Sequence, residues 1–128
     1  LEAAAERIRF TSSYAEAIPS AEVVFIAVGT PSLEDGQPDL KYLRSAAEAL
    51  GRHIGEHFTV VINKSTVPIG SGNWVGALIR ESQKAAGKKG EFAVASNPEF
   101  LREGSAILDS LFPDRIVIGS DSSRALET

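Results

Sequence analysis

Short runs of mainly apolar residues recur along the chain and alternate with longer segments in which apolar residues repeat at helical spacing. The runs predict four strands, over 23–28, 59–63, 92–96 and 115–118. The first run has no polar residue at all, which is typical of a parallel strand covered by helices on both faces. It is also too short to span a bilayer, and we therefore expect no membrane segment.

The segments between the strands predict helices. Asp39 is suited to cap the first of them, because a side-chain carboxylate accepts the free N–H groups of a helix start. The apolar face of this helix comprises Leu40, Leu43, Ala46, Ala47, Leu50 and Ile54. A second helix is predicted over 72–86 and ends at Gly87, which favours the left-handed conformation. Its expected buried residues are Trp74, Val75, Leu78 and Ile79.

Two shorter helices, near 105–111 and starting at 121–122, complete the alternation of strands and helices, and residues 1–8 resemble the end of a further helix. This alternation predicts an α/β fold: a partial Rossmann-like, mostly parallel sheet with helices on both faces and right-handed crossovers. Sheets of this kind bind ligands beyond the carboxyl ends of their strands. Here three strand ends carry a proline beside small hydroxyl or carboxyl side chains, at 29–32, 64–68 and 97–99. We therefore expect three polar loops along one edge of the sheet.

Composition narrows the possible functions. A chain of 128 residues with 43% hydrophobic residues fits one domain with a buried core. Its formal net charge of −4 and the lack of a basic cluster argue against nucleic-acid binding. It contains no cysteine, which excludes a disulfide, a thiolate metal site or a cysteine nucleophile within these residues. The first residues show no secretion signal, and we interpret the chain as a segment of a longer cytoplasmic protein.

Each polar loop has a plain and a chemical interpretation. The first, 28–32, is either a simple turn or a set of small residues that lets a dinucleotide pass close to the backbone, with the Thr30 hydroxyl donating to a phosphate or ribose oxygen. The second, 64–68, has a lysine and two hydroxyl residues that a turn does not require. In the third, Glu99 and Glu103 would share one face if the segment were helical. At the end of a buried strand, removal from water suits a carboxyl group to proton transfer.

The sequence His53-Ile54-Gly55-Glu56-His57 matches the H-x-x-E-H pattern of one class of zinc protease. That chemistry needs a continuous helix, whereas Gly55 interrupts the pattern and a predicted strand begins at Thr59. We interpret the match as coincidence and the two histidines as polar residues at a helix end. We therefore predict no metal site.

Four motifs together resemble those of the UDP-glucose/GDP-mannose dehydrogenase family. They are Val28-Gly29-Thr30-Pro31, Lys64-Ser65-Thr66-Val67-Pro68, the stretch from Asn97 to Gly104, and the stretch from Pro113 to Gly119. They stand in the family's order, and the resemblance covers essentially the whole chain. The last motif is closer to the UDP-glucose branch than to the GDP-mannose branch. The resemblance implies that residues 1–128 form the carboxyl-terminal part of a Rossmann-like NAD-binding domain. The first βαβ unit and the central and UDP-binding domains would then lie outside these residues.

The family oxidises the C6 alcohol of a nucleotide sugar to a carboxylate in two hydride transfers to NAD, through a thioester on a cysteine. The resemblance implies NAD as cofactor, a nucleotide sugar (UDP-glucose first) as substrate, and a homo-oligomeric full-length protein. It also implies that Glu99 acts through water as general base or acid and that Thr66 positions this water. The implied cofactor contacts are Val28, Gly29, Thr30, Pro31, Ser32, Ser65, Thr66, Val67 and Glu103. The implied substrate contacts are Glu99, Phe100, Leu101, Arg102 and Glu103.

Three hypotheses remain open. The first is a part of an NAD-dependent nucleotide-sugar dehydrogenase, which we expect to be inactive alone because its catalytic cysteine lies outside these residues. The second is a Rossmann-like nucleotide-binding or assembly module without chemistry. Glu99 and Thr66 favour the first, because a pure binding module has no use for a water-activating carboxylate, although Arg102 and Glu103 also fit a solvated surface. The third, a zinc hydrolase built on the two histidines, requires stoichiometric zinc.

Overall fold

The structure is a computed structural model and describes residues 6–128. The helix end expected over 1–8 falls mainly on residues 1–5, which lie outside the described residues. The described elements, in chain order, are α1 (Tyr14–Ala17), β1 (Val23–Ile26), α2 (Lys41–His53), β2 (Thr59–Asn63), α3 (Ser71–Ala85), β3 (Phe92–Ser96), α4 (Ala106–Leu111) and α5 (Ser123–Glu127). The four-residue α1 was not predicted, because a single turn carries no apolar repeat.

The three strands form one parallel sheet in the order β1-β2-β3. Their last residues, Ile26, Asn63 and Ser96, are paired with one another across the sheet. Because the strands are parallel and end level, the segments that follow them all leave from the same edge. The predicted α/β class, the parallel sheet and the bounds of β2 and β3 are confirmed.

The helix ends show the capping that the sequence predicted. The Asp39 carboxylate accepts the backbone N–H of Lys41 at 3.0 Å, so it supports the start of α2 although Leu40 is the N-cap residue. Gly87, which follows α3, has a φ of 66°, as predicted for a left-handed helix end. Ser122 caps α5 by accepting a backbone N–H from its first turn. The local signals in the sequence therefore locate these helices correctly.

Most of the core lies on one face of the sheet, where α2 and α3 pack against each other and against the strands. Its buried members are Ile18, Ile26, Leu43, Ala46, Ala47, Leu50, Ile54, Val61, Val75, Leu78 and Ile79. Trp74, which we expected to be buried, is half-buried and packs against this core. The apolar repeats of α2 and α3 thus predicted the main layer of the fold.

The other face of the sheet is covered less completely. There α5 packs through Ala125 over Val60 and Ala95. On the same face, Phe25 of β1 is 56% exposed and Val23 is 40% exposed. Helices lie on both faces, as predicted, but the expectation that β1 is covered on both faces is wrong for the described residues. The five-residue α5 contacts β3 and is too short to extend over β1, which is also two residues shorter than predicted.

The prediction of a fourth strand over 115–118 is wrong. The segment has no strand conformation and meets the sheet at an antiparallel bridge between Ser96 and Gly119. Ile116 is 68% exposed and Ile118 is 51% exposed. An apolar run forms a strand only where a partner offers a matching row of N–H and C=O groups, and here a single residue pair meets that condition.

Candidate functional site

Two hydroxyl side chains tie the loop after β1 to the loop after β2. The Ser65 Oγ donates to the carbonyl oxygen of Val28 at 2.8 Å. The Thr30 Oγ1 donates to the carbonyl oxygen of Thr66 at 2.9 Å. The two loops therefore hold each other in one conformation, through residues that the sequence analysis assigned to the cofactor.

A lysine and an asparagine tie the loop after β2 to the loop after β3. The Lys64 Nζ donates to the Asn97 Oδ1 at 3.1 Å, while the Asn97 backbone N–H donates to the Asn63 carbonyl at 3.0 Å. The Asn97 Nδ2 donates to the Val117 carbonyl at 2.9 Å. The predicted row of three polar loops on one sheet edge is confirmed, and we call it the loop rim (residues 28–32, 64–68 and 97–99).

The first two loops of the loop rim leave main-chain groups open to a ligand. Within residues 6–128, the backbone N–H groups of Gly29, Thr30, Thr66 and Val67 donate to no acceptor. Gly29 does not have a left-handed φ, and a Cβ built on it would meet no atom within 4 Å. Neither the backbone conformation nor the packing within the described chain therefore requires a glycine at this position. Because Gly29 has no side chain, the space beside its main chain is free. Backbone N–H groups beside such a space suit phosphate and ribose oxygens.

The Thr30 hydroxyl has a different role from the one predicted. A hydroxyl has one proton to donate, and Thr30 donates it to the Thr66 carbonyl. Donation from Thr30 to a cofactor phosphate is therefore unavailable in this arrangement, although its lone pairs remain able to accept. The Thr66 side chain, by contrast, is exposed, and its hydroxyl bonds to no other described residue. That hydroxyl is free to orient a water molecule.

A cavity of about 500 Å³ lies beside the third loop of the loop rim. Lys64, Glu99 and Arg102 line it, together with residues of α4 and of 112–116. Its other lining residues from the third motif are Asn97, Pro98, Phe100 and Leu101. The structure thus brings Glu99 into one cavity with three cationic side chains, those of Lys64, Arg102 and Arg115. Thr66, its predicted partner in water activation, is not among the residues that line this cavity.

The segment from Glu99 to Glu103 is not helical, so these two carboxylates do not share a helix face. Gly104 has a φ of 84°, in the left-handed region, and α4 starts only after Ser105. Both glutamates are exposed. From its place after a buried strand, we expected Glu99 to be removed from water. The described residues leave it exposed, so they do not meet this expectation.

An ion pair that the sequence analysis missed joins this segment to α4. The Asp109 carboxylate accepts the Arg102 Nε at 3.1 Å, its Nη2 at 2.6 Å and its backbone N–H at 3.0 Å. The Ser105 Oγ donates a fourth hydrogen bond at 3.0 Å. The Arg102 guanidinium beside Asp109 holds the pKa of that carboxyl well below its usual range. No sequence signal pointed to this pair, because its members are separated by an irregular loop without a period.

The two histidines lie at the end of α2 and shortly after it. The His53 Nδ1 lies 2.8 Å from the Ala49 carbonyl oxygen, and the His57 Nε2 lies 3.0 Å from the Ala21 carbonyl oxygen. Among the described residues, no three His, Cys, Asp or Glu side chains are grouped so that they could hold a metal ion. Within residues 6–128, no helix is both long enough and apolar enough to cross a membrane.

The chain is similar over its whole length to one family of known proteins. The model of the UDP-glucose/GDP-mannose dehydrogenase family, NAD binding domain, matches residues 1–128. UDP-glucose 6-dehydrogenase of Pseudomonas aeruginosa is 50% identical over 124 residues, which are 97% of this chain and 27% of that protein. The chain therefore spans about a quarter of the length of the curated relatives that it matches.

Solved structures of similar proteins have the same fold. The structure of a UDP-glucose dehydrogenase from the hyperthermophilic archaeon Pyrobaculum islandicum matches with a TM-score of 0.87 at 45% identity, covering 98% of this chain and 29% of that one. A ternary complex of GDP-mannose dehydrogenase from Pseudomonas aeruginosa matches with a TM-score of 0.82 at 37% identity, covering 91% of this chain and 27% of that one. The similarity thus extends from the motifs to the backbone.

Proposed function

The chain belongs to the UDP-glucose/GDP-mannose dehydrogenase family, and we propose that it is the NAD-side part of a longer enzyme that oxidises the C6 alcohol of a nucleotide sugar to a carboxylate. Its cofactor is NAD. UDP-glucose is the proposed substrate, because a relative named for that sugar nucleotide is 50% identical to this chain, against 37% for GDP-mannose dehydrogenase. The resemblance of 113–119 to the UDP-glucose branch supports the same choice.

The residues that would hold NAD are those of the first two loops, 28–32 and 65–67, together with Glu103. NAD, when bound, accepts a hydride from the sugar carbon. The first two loops fit this cofactor, because they offer open backbone N–H groups beside the free space at Gly29. Ser65 and Thr30 hold the loops in place through backbone carbonyls, which reduces the ordering that binding requires.

We propose that Glu99 activates a water molecule and that Thr66 orients it. In the family's reaction a thioester is hydrolysed, and water attacks a thioester readily only when it is oriented and partly deprotonated. A carboxylate is suited to take the proton, and a hydroxyl is suited to orient the water. Glu99 lines the cavity, and the Thr66 hydroxyl has no other partner within residues 6–128. The thiol must come from outside these 128 residues, because they contain no cysteine.

The observation that carries this proposal is the loop rim. Three strands end level, and side-chain hydrogen bonds join the loops on both sides of β2. The cofactor held by the first two loops and the carboxylate in the third loop would then lie close enough to act on the same substrate molecule. Effective catalysis depends on such fixed proximity of cofactor, substrate and proton-transfer group.

The test uses the longer enzyme that carries this chain, incubated with NAD or NADP and a panel of nucleotide sugars while NADH or NADPH is followed. We expect turnover with UDP-glucose and NAD. Glu99→Gln should lower kcat by about 100-fold or more, because it removes the general base. Glu81→Gln, a matched change on an exposed position of α3, should leave kcat unchanged.

Two results would contradict the proposal in different ways. Binding of NAD without reduction of it by any nucleotide sugar would favour the alternative, a non-catalytic nucleotide-binding or assembly module. An unchanged kcat in the Glu99→Gln enzyme would remove Glu99 from catalysis and leave the reaction itself in place.

A further inference from the structure

Four hydrogen bonds meet on the Asp109 carboxylate at the edge of the Glu99 cavity. Three come from Arg102 and one from Ser105, at 2.6 to 3.1 Å. The Asp109 side chain is 15% exposed, whereas the Arg102 side chain is 76% exposed. The carboxylate therefore lies largely covered, and the guanidinium folds back onto it from the solvent side.

We propose that Arg102 and Asp109 form a clasp that positions residues 99–103, and that the Arg102 side chain does not bind the substrate. The second statement departs from the family resemblance, which implied that Arg102 is a substrate contact. The catalytic consequence rests on the proposed function. The clasp itself is a property of this chain.

The Arg102 guanidinium already has its preferred kind of partner. A guanidinium binds a phosphate or carboxylate most effectively through two parallel N–H groups. In Arg102 the Nε and Nη2 both donate to Asp109, so this pair of donors is not available to an anionic group of the substrate. Breaking the pair would leave the largely covered Asp109 carboxylate without its cationic partner, which is costly.

Apart from the clasp, few contacts of the described residues fix residues 99–105; the Arg115 guanidinium lies 5.3 Å from the centre of the Phe100 ring. Residues 97–102 form neither helix nor strand, and Gly104 has a left-handed φ of 84°. Apart from the bonds to Asp109, the hydrogen bond that the described residues provide within 99–105 runs from the Ser105 backbone N–H to the Arg102 carbonyl at 3.2 Å. Because Asp109 also accepts the Arg102 backbone N–H, it fixes the main chain close to Glu99.

A double-mutant cycle in the longer enzyme distinguishes a clasp from a substrate contact. Arg102→Ala and Asp109→Ala should each lower kcat by about 10- to 100-fold, a loss comparable to that from moving a catalytic group by about 1 Å. The KM for the nucleotide sugar should change little. The kcat of the double variant should be no lower than that of either single variant, because each single change already opens the clasp. Arg102→Lys, which keeps the charge but not the paired donors, should recover part of the lost kcat.

A second ion pair provides the matched control. Arg124 of α5 and Glu91, which directly precedes β3, are exposed and lie 3.1 Å apart. Arg124→Ala and Glu91→Ala should leave kcat and KM unchanged, because exposed pairs contribute little. The proposal is overturned if Arg102→Ala raises the KM while Asp109→Ala has no effect, or if the losses of the two single variants add in the double variant.

Hydrogen exchange of the 99–109 peptide tests the clasp without reference to activity. Asp109→Ala should speed exchange in this peptide by about tenfold, because the Arg102 backbone N–H loses its acceptor. Glu91→Ala should not change it. Exchange that is unaffected by Asp109→Ala would overturn the clasp. If the unaltered enzyme reduces no NAD with any nucleotide sugar, the proposed function fails, and the exchange result alone then decides for or against the clasp.

Discussion

At the loop rim, individual side chains stabilise the loops as well as offering groups to a ligand. The Ser65 and Thr30 hydroxyls donate to carbonyls of the neighbouring loop, which leaves the main-chain N–H groups and the Thr66 hydroxyl for a cofactor or water. The sequence identified these positions, because small hydroxyl residues cluster at the strand ends. It did not show the direction of each hydrogen bond, because the partners are 36 and 37 residues apart in the chain. It also missed the pairing of Arg102 with Asp109, because the irregular loop between these two residues has no periodic pattern.

Ser65→Ala should loosen the first two loops of the loop rim. The change removes the donor to the Val28 carbonyl without introducing a clash, and we expect a loss of about 1 kcal/mol in the free energy of unfolding. NAD binding should also weaken, because the cofactor must then order the loops itself. Chemical denaturation and NAD titration of the longer enzyme measure the two effects, with Ser45→Ala at an exposed position of α2 as control. If stability and NAD affinity both stay at the level of the control, Ser65 does not hold the loops.

The stability contribution of Asp109 should depend on pH in a defined direction. Its hydrogen bonds with Arg102 hold the pKa of the folded carboxyl below the value of about 3.9 that it has in an unfolded chain. The contribution is therefore complete above that value and is lost as the pH falls below it, because the unfolded chain takes up the proton first. Asp109→Asn should lower the unfolding temperature by a constant amount above about pH 5 and by a shrinking amount below about pH 4. Thermal unfolding of the unaltered protein and of the Asp109→Asn variant across this pH range measures the effect. A difference in unfolding temperature that grows toward acid pH would contradict the prediction.

Among the helices and strands, the success of sequence prediction depends on where each element finds its partners. The bounds of α3, β2 and β3 agree with the prediction to within one residue, because their apolar residues are buried against neighbouring elements. β1 and the segment 115–118 have equally apolar runs, yet the first is partly exposed and the second is not a strand. A local pattern records that a segment is apolar. It does not record whether a neighbouring strand or helix is available to cover that segment.

The close packing of α2 on α3 depends on Gly51. A Cβ at this position would lie 2.6 Å from the Cβ of Ser82 and closer still to the carbonyl oxygen of Ile79. Gly51→Ala should therefore reduce the free energy of unfolding by about 1–3 kcal/mol, because separation of the helices outweighs the gain in helix propensity of about 1 kcal/mol. Gly76→Ala is the control, because its Cβ would come no nearer than 3.4 Å, to the flexible end of Arg80. In urea unfolding, the Gly76→Ala control should be as stable as the unaltered protein or more stable. Equal losses of unfolding free energy in both variants would argue against close packing of α2 on α3 at Gly51.

Considered as a whole molecule, the 128 residues present the loop rim and the neighbouring cavity at an edge whose surroundings are open. Glu99 is exposed, and the chain spans 27% of its Pseudomonas aeruginosa relative. Large apolar side chains near the cavity are exposed too: Phe100, Ile107, Leu108, Leu111, Phe112 and Ile116. Exposed apolar groups in one region are typical of a surface that other protein parts cover. These features support the proposal that residues outside this chain complete the reaction site.

The 128-residue chain alone should therefore form no NADH from UDP-glucose and NAD. In the proposed enzyme its first two loops contact NAD, but the thiol and most contacts to the UDP group lie elsewhere, so nothing in the chain alone holds the sugar carbon against the cofactor. An assay of the chain and of the longer enzyme at equal concentration measures this, and an NAD titration of the chain shows whether it retains weak affinity for the cofactor. Oxidation as far as the carboxylate by the chain alone, with two NADH formed per UDP-glucose, would mean that neither oxidation step needs a cysteine, because these residues contain none. The thioester route would then be wrong for this protein, even if UDP-glucose were its substrate.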